Sequence, residues 1–490
     1  MQLAELIKDW PCTVKGSVRV DVKRVEDDAR EVQPGDLFVA RKGRHNNGAE
    51  FIHQALARGA SGIVVEDELK LDQLIAPVPI IWVPNVLKFI SFASAKLLHF
   101  PSEALQVVAV TGTNGKTTVT HFIGQILQKL HKKTMVIGTN GVYLQGERTT
   151  HQLESLTTLQ PKQLHRLLQE AVYQDVEYVI LEASSMGLAT HRLDHCHITT
   201  GVYLNLSEDH IEDHKSFENY KLAKQQLAKL SDQLVLNGDD AFCRSIGVLS
   251  KKKKHYFGCG NRVDVQLQLI TEEEGFSTCC IQTEQQEKVV TFPVMGDYQR
   301  SNMLAAITTV CTLGFPFADV CNVAQHITLP EGRMQRIKND IGLTILIDYA
   351  HTAEALRAVL QVVRKQAKNK VIVVFSCGGE RDQQKRAKMG MVASTFADFI
   401  YLTTDNPRGE SPVKINEQIQ EGFSANQAFD VELDRKNAIR KALELAKAGD
   451  TVVIIGKGHE RTQTISGRTL PFSDYDCVQN VLRTSLNYEK

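Results

Sequence analysis

The chain has 490 residues, with 57 basic and 57 acidic side chains and ten cysteines. Its length exceeds the roughly 250–300 residues at which single cores stop growing, so we expect two to four domains. The charge balance argues against a nucleic-acid-binding protein, because affinity for polyanions requires surplus basic side chains. No apolar run approaches the roughly 20 residues of a membrane span, and the scattered cysteines are typical of reduced thiols. These features predict a cytoplasmic protein without a membrane partner.

The first 100 residues predict a small N-terminal α/β domain. Asp36–Ala40 and Gly62–Val65 are short apolar strands, and the first follows the turn Pro34-Gly35. A helical pattern over Leu87–Leu98 is followed by Pro101, which favours a domain boundary near residue 100.

Residues 101–330 predict a central doubly wound, mostly parallel sheet. Short apolar strands alternate with helical stretches, which is the pattern of such sheets. The predicted strands are Val107–Val110, Met135–Gly138, Tyr178–Leu181 and Val202–Leu204. Strict alternation over Val263–Leu269, repeated at Val289–Phe292, predicts antiparallel strands appended to this sheet.

Residues 331–490 predict a second, Rossmann-like α/β domain. Its strands are Thr344–Ile347, Val371–Phe375, Phe399–Leu402 and Val452–Ile455. Polar motifs follow each strand, at the sheet edge where open α/β sheets bind ligands.

The stretch VVAVTGTNGKTT at residues 107–118 predicts an ATP-binding loop. A buried strand runs into glycines that let backbone amides surround phosphate oxygens, and a helix predicted from Thr118 to Leu130 adds its positive N-terminus. Lys116 can reach the terminal phosphates and the Thr117 hydroxyl can bind magnesium. Val110 stands where the general pattern has glycine, so the loop is a shortened one. The candidate nucleotide residues here are Gly112, Thr113, Asn114, Gly115, Lys116, Thr117 and Thr118. A glycine turn with an unrelated lysine is the alternative.

Further polar motifs end the other predicted strands. They are LEASS at 181–185, NLSEDH at 205–210, DYAHT at 348–352, CGGERD at 377–382, TDNPR at 404–408 and GKGHE at 456–460. In this order, with this loop, they closely resemble the Mur ligase family, and within it the MurE type. Residues 28–40 are similar to the family's uridine-binding segment, so the resemblance covers nearly the whole chain. It implies a UDP-substrate domain, an ATP domain and an amino-acid domain in that order.

The resemblance implies an ATP-dependent amide ligase of peptidoglycan precursor synthesis. ATP would phosphorylate the terminal carboxylate of UDP-MurNAc-L-Ala-D-Glu, and the amine of an amino acid would displace the phosphate. The partners are then small molecules, and we expect a monomer.

The resemblance also implies roles at the phosphates. Glu182 and His210 would hold one Mg²⁺ and Thr117 another, offsetting charge on the transferred phosphoryl group together with Lys116. Lys224 matches the family lysine that is carbamylated and orders the second magnesium. Without the family, Lys224 would be interpreted as a surface lysine on a helix.

Four more residues resemble nucleotide contacts of the family. Asn302 resembles an adenine contact, and Arg333 an arginine that reaches the nucleotide across a domain gap. Asp348 and His351 resemble neighbours of the ribose and phosphates. Taken singly, each could equally be a capping or solvated polar group.

The motif Asp405-Asn406-Pro407-Arg408 predicts which amino acid is added. A guanidinium holds a carboxylate through two parallel hydrogen bonds, and meso-diaminopimelate has a second carboxylate where lysine has none. Family members that add diaminopimelate carry arginine at this position. The other residues that match contacts to that substrate are Arg381, Gly456 and Glu460. The competing interpretation is that Arg408 only braces its loop.

Several departures from the family pattern fall on the UDP-substrate side. The chain has Ala29 for serine, Leu159-Gln160 for Pro-Glu, Met186 for histidine and Thr190 for glutamine. Each lost hydrogen bond costs only about 1 kcal/mol, so binding could be weakened without being abolished. The residues retained for this substrate are Thr157, Thr158, Ser184 and Arg192. A paralogue that couples an amino acid to a different carboxylate, in a secondary pathway, is the alternative.

Two hypotheses come from other functional classes. A metal hydrolase would use a histidine-rich set in which two i, i+4 pairs share helical faces. That set is His191, His195, Cys196, His197, His210 and His214. A regulatory nucleotide-binding module is the second, although it would not need Lys116, Glu182, His210 and Lys224 together.

Overall fold

The computed structural model describes residues 1–43, 46–68, 74–151, 154, 156–209, 211–273 and 275–488. Three sheets follow one another along the chain, each covered by helices, which confirms the predicted three-domain α/β class. Within those residues, no helix is both long enough and apolar enough to cross a bilayer.

The first sheet has five strands in the order β1-β5-β4-β3-β2, parallel except for β1. Its strands are β1 Thr13–Lys15, β2 Arg24–Glu26, β3 Asp36–Val39, β4 Gly62–Val65 and β5 Ile80–Trp82. Its helices are α1 Leu3–Leu6, α2 Ile52–Ala57 and α3 Val86–Leu97. Helix α3 begins where the Asn85 side chain accepts a hydrogen bond from the Lys88 amide at 2.9 Å, which satisfies an otherwise unpaired N–H.

The second sheet has eleven strands in the order β16-β15-β14-β13-β12-β11-β6-β10-β7-β8-β9. The strands are β6 Gln106–Thr111, β7 Thr134–Gly138, β8 Gly141–Leu144, β9 Glu147–Arg148, β10 Tyr178–Glu182, β11 Ile198–Tyr203, β12 Ser231–Asn237, β13 Lys253–Gly258, β14 Val265–Glu273, β15 Phe276–Thr283 and β16 Glu287–Phe292. The helices are α4 Lys116–Lys129, α5 Pro161–Tyr173, α6 Ser185–Ala189, α7 Ile211–His214, α8 Phe217–Leu230, α9 Ala241–Leu249, α10 Asp297–Thr312 and α11 Phe317–Ala324.

Strand β6 lies at the middle of this sheet, between β10 and β11, and is parallel to both. Its alternate side chains enter two different hydrophobic cores, so the run is apolar on both faces. The carboxyl ends of β6, β10 and β11 therefore meet at one edge. The appended antiparallel strands predicted after residue 263 are confirmed as β14, β15 and β16.

The third sheet has six strands in the order β17-β18-β22-β19-β20-β21, parallel except for β17, and a separate hairpin β23–β24. The strands are β17 Gln335–Ile337, β18 Thr344–Asp348, β19 Val371–Phe375, β20 Phe399–Leu402, β21 Phe429–Val431, β22 Thr451–Ile455, β23 Thr462–Ile465 and β24 Arg468–Pro471. The helices are α12 Ala353–Gln366, α13 Gln384–Phe396, α14 Pro412–Gln420, α15 Arg435–Leu445 and α16 Asp474–Tyr488.

The chain crosses from the second to the third sheet at Gly332. This residue has a φ of 71°, and a Cβ atom there would collide with the His459 amide and with Gly458. Glycine is therefore required by both conformation and space. The close approach places the start of the third domain against the loop that follows β22.

Candidate active site

The loop between β6 and α4 is fixed by the segment that follows β11. The Asn114 amide donates to Asn205 Oδ1 at 2.9 Å, and Asn205 Nδ2 donates back to the Asn114 carbonyl at 3.1 Å. Thr113 Oγ1 accepts from the Ser207 amide at 3.0 Å. Gly115 has a φ of 91° and directly precedes α4. The predicted strand–loop–helix unit is thus present, with its helix starting at Lys116, two residues before the predicted start.

The side chain of Lys116 folds back onto this loop and contacts its backbone. Its Nζ donates to the carbonyls of Gly112, at 2.8 Å, and Thr113, at 3.0 Å. Burial lowers the pKa of Lys116, while the nearby Glu182 carboxylate acts in the opposite direction. The ammonium is therefore held within the loop that would surround phosphates.

Glu182, the last residue of β10, is almost completely buried beside Thr117. The Thr117 hydroxyl donates to Glu182 Oε1 at 2.9 Å. Thr139 donates twice, from its amide to Oε1 at 2.8 Å and from its hydroxyl to Oε2 at 3.0 Å. Parallel pairing of β10 with β6 and β7 brings these groups together.

Thr117 and Glu182 fit a magnesium ion. Mg²⁺ is bound through one or two carboxylates, with phosphates and waters completing its shell. Glu182 forms no ion pair among the residues that the structure describes, although the ammonium of Lys116 is near enough to interact with its charge. No group of three or more His, Cys, Asp or Glu side chains able to hold a metal occurs in that same part of the chain. His210, predicted as a second ligand, lies outside the described residues.

Lys224 on α8 is buried, so the interpretation as a surface lysine is wrong. Its Nζ lies 3.5 Å from Thr111 Oγ1 and 4.9 Å from the centre of the Tyr220 ring. Burial lowers the pKa of Lys224 well below its usual value, and the charge of Lys116 lowers it further. A lowered pKa favours the neutral, nucleophilic form of the amine.

Arg333 reaches from the third domain to the phosphate loop. Its Nη2 donates to Thr117 Oγ1 at 3.1 Å, and its Cζ lies 4.5 Å from the centre of the Tyr349 ring. Asp348 accepts from the amides of Met334, at 2.7 Å, and Ala350, at 2.8 Å. This carboxylate therefore fixes the turn that carries Arg333.

The other predicted nucleotide residues lie around the same loop. A side chain on Gly115 would collide with Asn302 Oδ1, so Asn302 lies directly against the start of α4. Burial lowers the pKa of His351 to about 4, which leaves its imidazole neutral at pH 7. Thr118 is buried in the first turn of α4.

Most of the residues predicted for the UDP substrate lie around the carboxyl end of β10. Thr158 Oγ1 donates to the Glu182 carbonyl at 2.7 Å and lies 3.0 Å from Ser184 Oγ. Arg192 donates to the Thr158 carbonyl at 2.6 Å and to Thr190 Oγ1 at 3.0 Å. Thr190, which replaces the family glutamine, thus holds Arg192 in place.

Neighbouring groups complete this region. Thr157 Oγ1 lies 3.1 Å from Thr139 Oγ1, beside a cavity of about 240 Å³. Ala29 is buried in the core of the first domain, and Lys162 of α5 pairs with Glu26 and with Asp27, the latter at 3.0 Å.

The residues predicted for the amino acid lie at the ends of β19, β20 and β22. Asn406 Nδ2 donates to Glu460 Oε2 at 2.9 Å, and Asp405 is buried against Gly456. The Arg408 guanidinium donates to the Gly379 carbonyl at 2.5 Å and, with weaker geometry, to the Asn406 carbonyl at 3.5 Å.

Two arginines of this pocket have no acidic partner. Within the described ranges, neither Arg408 nor Arg381 forms an ion pair. Pro407 lies against Gly379, where any side chain would collide with the proline carbonyl. Arg408 therefore lies beside the Asn406–Glu460 pair, whereas Arg381 is exposed.

The structure contradicts the histidine-rich metal site. Helix α6 ends at Ala189, and His191 has a φ of 59°, so His191 and His195 share no helical face. His191 instead pairs with Asp194 at 2.8 Å.

The remaining members of that set have separate environments. His197 pairs with Asp232 at 2.9 Å, and the His214 ring lies 3.0 Å from Ser185 Oγ. His195 packs edge-on against Trp10, and burial raises the pKa of the Cys196 thiol to about 12. The proposed ligands that the structure describes do not converge, and His210 lies outside those residues.

Comparison with known proteins agrees with this geometry. Residues 110–310 match the Mur ligase middle domain, residues 332–458 the Mur ligase glutamate ligase domain, and residues 21–96 the Mur ligase family catalytic domain. The chain belongs to the Mur ligase family. It is therefore a ligase, and the interpretation as a regulatory module is wrong.

Relatives of this ligase include two UDP-N-acetylmuramoyl-L-alanyl-D-glutamate–2,6-diaminopimelate ligases. The one from Caldanaerobacter subterraneus is 33% identical, covering 99% of this chain and all of the relative. The one from Aquifex aeolicus is 36% identical, covering 94% of each chain. A solved structure of a ligase with the same name is 30% identical, with a TM-score of 0.69 and 99% of both chains covered.

Sequence reasoning missed three residues of this ligase's site. Thr139 donates twice to Glu182, Tyr349 lies against Arg333, and Lys457 is buried between Asn406 and Glu460. Each could have been found from the sequence. Thr139 follows β7, the neighbour of β10, while Tyr349 lies in the motif DYAHT and Lys457 in the motif GKGHE.

Proposed function

We propose that this Mur ligase adds meso-diaminopimelate to UDP-MurNAc-L-Ala-D-Glu through an acyl phosphate, using ATP. We further propose that residues 1–100 bind the UDP end, residues 101–330 bind ATP and residues 331–490 bind the amino acid. The reaction would take place in the cytoplasm, and the working unit would be a monomer. The free state of all ten cysteines is compatible with a reducing compartment.

One observation carries the choice of amino acid. Among the described residues, the Arg408 guanidinium donates hydrogen bonds only to carbonyl groups, close to the Asn406–Glu460 pair. An arginine with free donors fits a carboxylate, and Glu460 fits an ammonium group. The distal end of diaminopimelate carries both groups, whereas that of lysine would leave Arg408 unpaired.

The residues at the phosphate loop support the phosphoryl-transfer step. The γ-phosphoryl group passes to the substrate carboxylate, and the bond to the β-phosphate oxygen breaks to release ADP. Lys116 and Arg333 place two positive charges beside the loop, where they can stabilise the charge spread over the transferred oxygens. The amine then attacks the acyl carbon, loses a proton and expels phosphate.

Glu182 and His210 would hold one magnesium ion and Thr117 another, and both ions would neutralise charge on the phosphates. We propose that Lys224 is carbamylated. Its amine is buried and its pKa is lowered, so it can add to carbon dioxide. Loss of a proton from the adduct gives a carbamate anion, which would attract the Lys116 ammonium.

A second candidate is a paralogue with the same ATP chemistry and a different carboxylate substrate. The observation that favours it lies on the UDP side, where Ala29 is a buried apolar residue at a position that carries serine in the family pattern, and where the buried Leu159 replaces the family proline. Arg192, Thr158 and Ser184 remain in place to hold a carboxylate or carbonyl there.

A substrate panel tests these proposals. Phosphate release and product mass are measured for the purified enzyme with ATP, Mg²⁺, several carboxylic acids and several amines, including lysine and meso-diaminopimelate. We expect turnover with the UDP-MurNAc-dipeptide and meso-diaminopimelate. Turnover only with another acid would establish the paralogue, and preference for lysine would overturn the proposed role of Arg408.

A further inference from the structure

A fully buried lysine lies beneath the amino-acid pocket. Lys457 follows β22, and its Nζ donates to Glu460 Oε2 at 2.7 Å and to Asn406 Oδ1 at 3.2 Å. Asn406 Nδ2 also donates to Glu460 Oε2, at 2.9 Å. The three side chains therefore form a closed triangle of hydrogen bonds.

The triangle fixes the orientation of both partners of Lys457. Asn406 Oδ1 accepts a second hydrogen bond from the Thr464 amide at 2.9 Å, so the asparagine cannot flip. Both bonds to Glu460 reach the same oxygen, Oε2, and across the described residues no hydrogen bond reaches Oε1. Since the Glu460 side chain is 28% exposed, Oε1 remains available to a ligand.

Lys457 also contributes to the charge balance of the amino-acid pocket. Its ammonium compensates the Glu460 carboxylate, while Arg408 and Arg381 form no ion pairs in the described part of the chain. A ligand end that carries both an ammonium and a carboxylate suits this balance. A ligand whose distal end carries only an ammonium, such as lysine, would add a positive charge that no group in the pocket compensates.

We propose that Lys457 is a positioning residue that orients Glu460 and Asn406 and makes the pocket select an amino acid whose distal end is zwitterionic. This inference rests on the proposed function, because it concerns the same amino-acid pocket. It adds a residue that does not touch the substrate and acts through Glu460.

The test is Lys457→Met, which keeps the length of the side chain and removes its charge. With saturating ATP and whichever carboxylate substrate the panel yields, KM and kcat are measured for meso-diaminopimelate and for lysine. We expect the KM for meso-diaminopimelate to rise about ten-fold and the kcat/KM ratio over lysine to fall at least ten-fold. The KM for ATP should stay within about two-fold. Lys441→Met, at a surface lysine paired with Glu432, is the matched control.

An equal loss for both amino acids, with the ratio unchanged, would mean that Lys457 is merely structural and would overturn the inference. If Lys457→Met does not fold, Lys457→Ala with added propylammonium serves instead, and the inference then requires that the amine restore the ratio. Because the carboxylate substrate is taken from the panel, failure of the proposed carboxylate does not count against Lys457. A wild-type enzyme that prefers lysine would refute the proposed amino acid and this inference together.

Discussion

The phosphate loop and the amino-acid pocket differ in how far the protein satisfies its own polar groups. At the loop, Lys116 and Glu182 are held by protein donors and acceptors before any ligand binds. In the pocket, Arg408 forms no ion pair among the described residues, and Glu460 accepts hydrogen bonds there through Oε2 alone. Both side chains can therefore form further hydrogen bonds to a ligand. We infer that the loop supplies a fixed reaction centre, whereas the pocket supplies selectivity.

The largest effect should come from removing the charge at the loop. Lys116→Met is expected to lower ADP release about 10²–10³-fold, because one donor to the developing charge is lost in a buried site. The measurement is ATP-dependent ADP release with all substrates present. Lys129→Met, at the exposed end of the same helix, is the control. Turnover close to that of the wild type would remove Lys116 from the reaction centre.

A smaller and more selective effect is expected in the pocket. Arg408→Ala should raise the KM for meso-diaminopimelate about 10–100-fold, the equivalent of about 1–3 kcal/mol, since the distal carboxylate loses its partner. Steady-state kinetics with each substrate varied in turn measure this, with Arg440→Ala on the surface of α15 as the control. Equal damage to ATP and amino-acid binding would mean that Arg408 only braces its loop.

An intermediate case is Thr139, which orients Glu182 without lying in the phosphate loop. Thr139→Val keeps the shape and removes the hydroxyl bond to Oε2. Because hydrogen bonds from neighbouring residues orient a metal ligand, losing the Thr139 hydroxyl should weaken magnesium binding by Glu182. We expect the half-saturating Mg²⁺ concentration to rise about ten-fold. Magnesium titration of turnover measures this, and chelation should abolish turnover in both proteins. An unchanged magnesium requirement would argue against Glu182 as the ligand.

The smallest effect concerns stability at the contact between α3 and α5, away from both sites. His165 on α5 is fully buried, neither ring nitrogen has a hydrogen-bond partner among the described residues, and burial lowers its pKa to about 3. The unfolded chain takes up this proton near pH 6.5, so the free energy of unfolding should fall as the pH drops below 6.5 towards 3. The limiting slope from this group is about 1.4 kcal/mol per pH unit.

Urea unfolding of wild type and His165→Leu at pH 7.5 and 5.0 measures this contribution. The variant should lose less stability than the wild type on acidification, by about 1–2 kcal/mol. The same acid sensitivity in both proteins would assign it to other groups, such as His121 and His459, whose pKa values are also lowered by burial.

The two regions also differ in how well the sequence predicts them. The phosphate loop is formed by one continuous segment of the sequence, a strand, four loop residues and a helix, so its conformation can be predicted from that segment. Parallel pairing of the strands then brings Glu182 next to it. The pocket is assembled from three strand ends and a hairpin, so its residues were recognisable only through the family resemblance. The buried position of Lys457 depends on contacts with Asn406 and Glu460, and nothing local in the sequence encodes them.

Two errors have clear physical causes. The spacing of His191 and His195 suits a helix, but the chain turns after Ala189 and His191 takes a left-handed conformation. The hairpin β8–β9 was not predicted, since its second strand is only two exposed residues, Glu147 and Arg148, with no apolar alternation.

The crowded glycine at position 332 limits how this enzyme can vary over evolution. With no room for even a methyl group, any replacement must push the turn that carries Arg333 away from the loop after β22 and so displace Arg333 from Thr117. A single substitution there could therefore inactivate the enzyme while leaving every residue that meets a substrate intact. Strains that lose this ligase activity although the residues at the substrate sites are unchanged should be examined first for substitutions of Gly332.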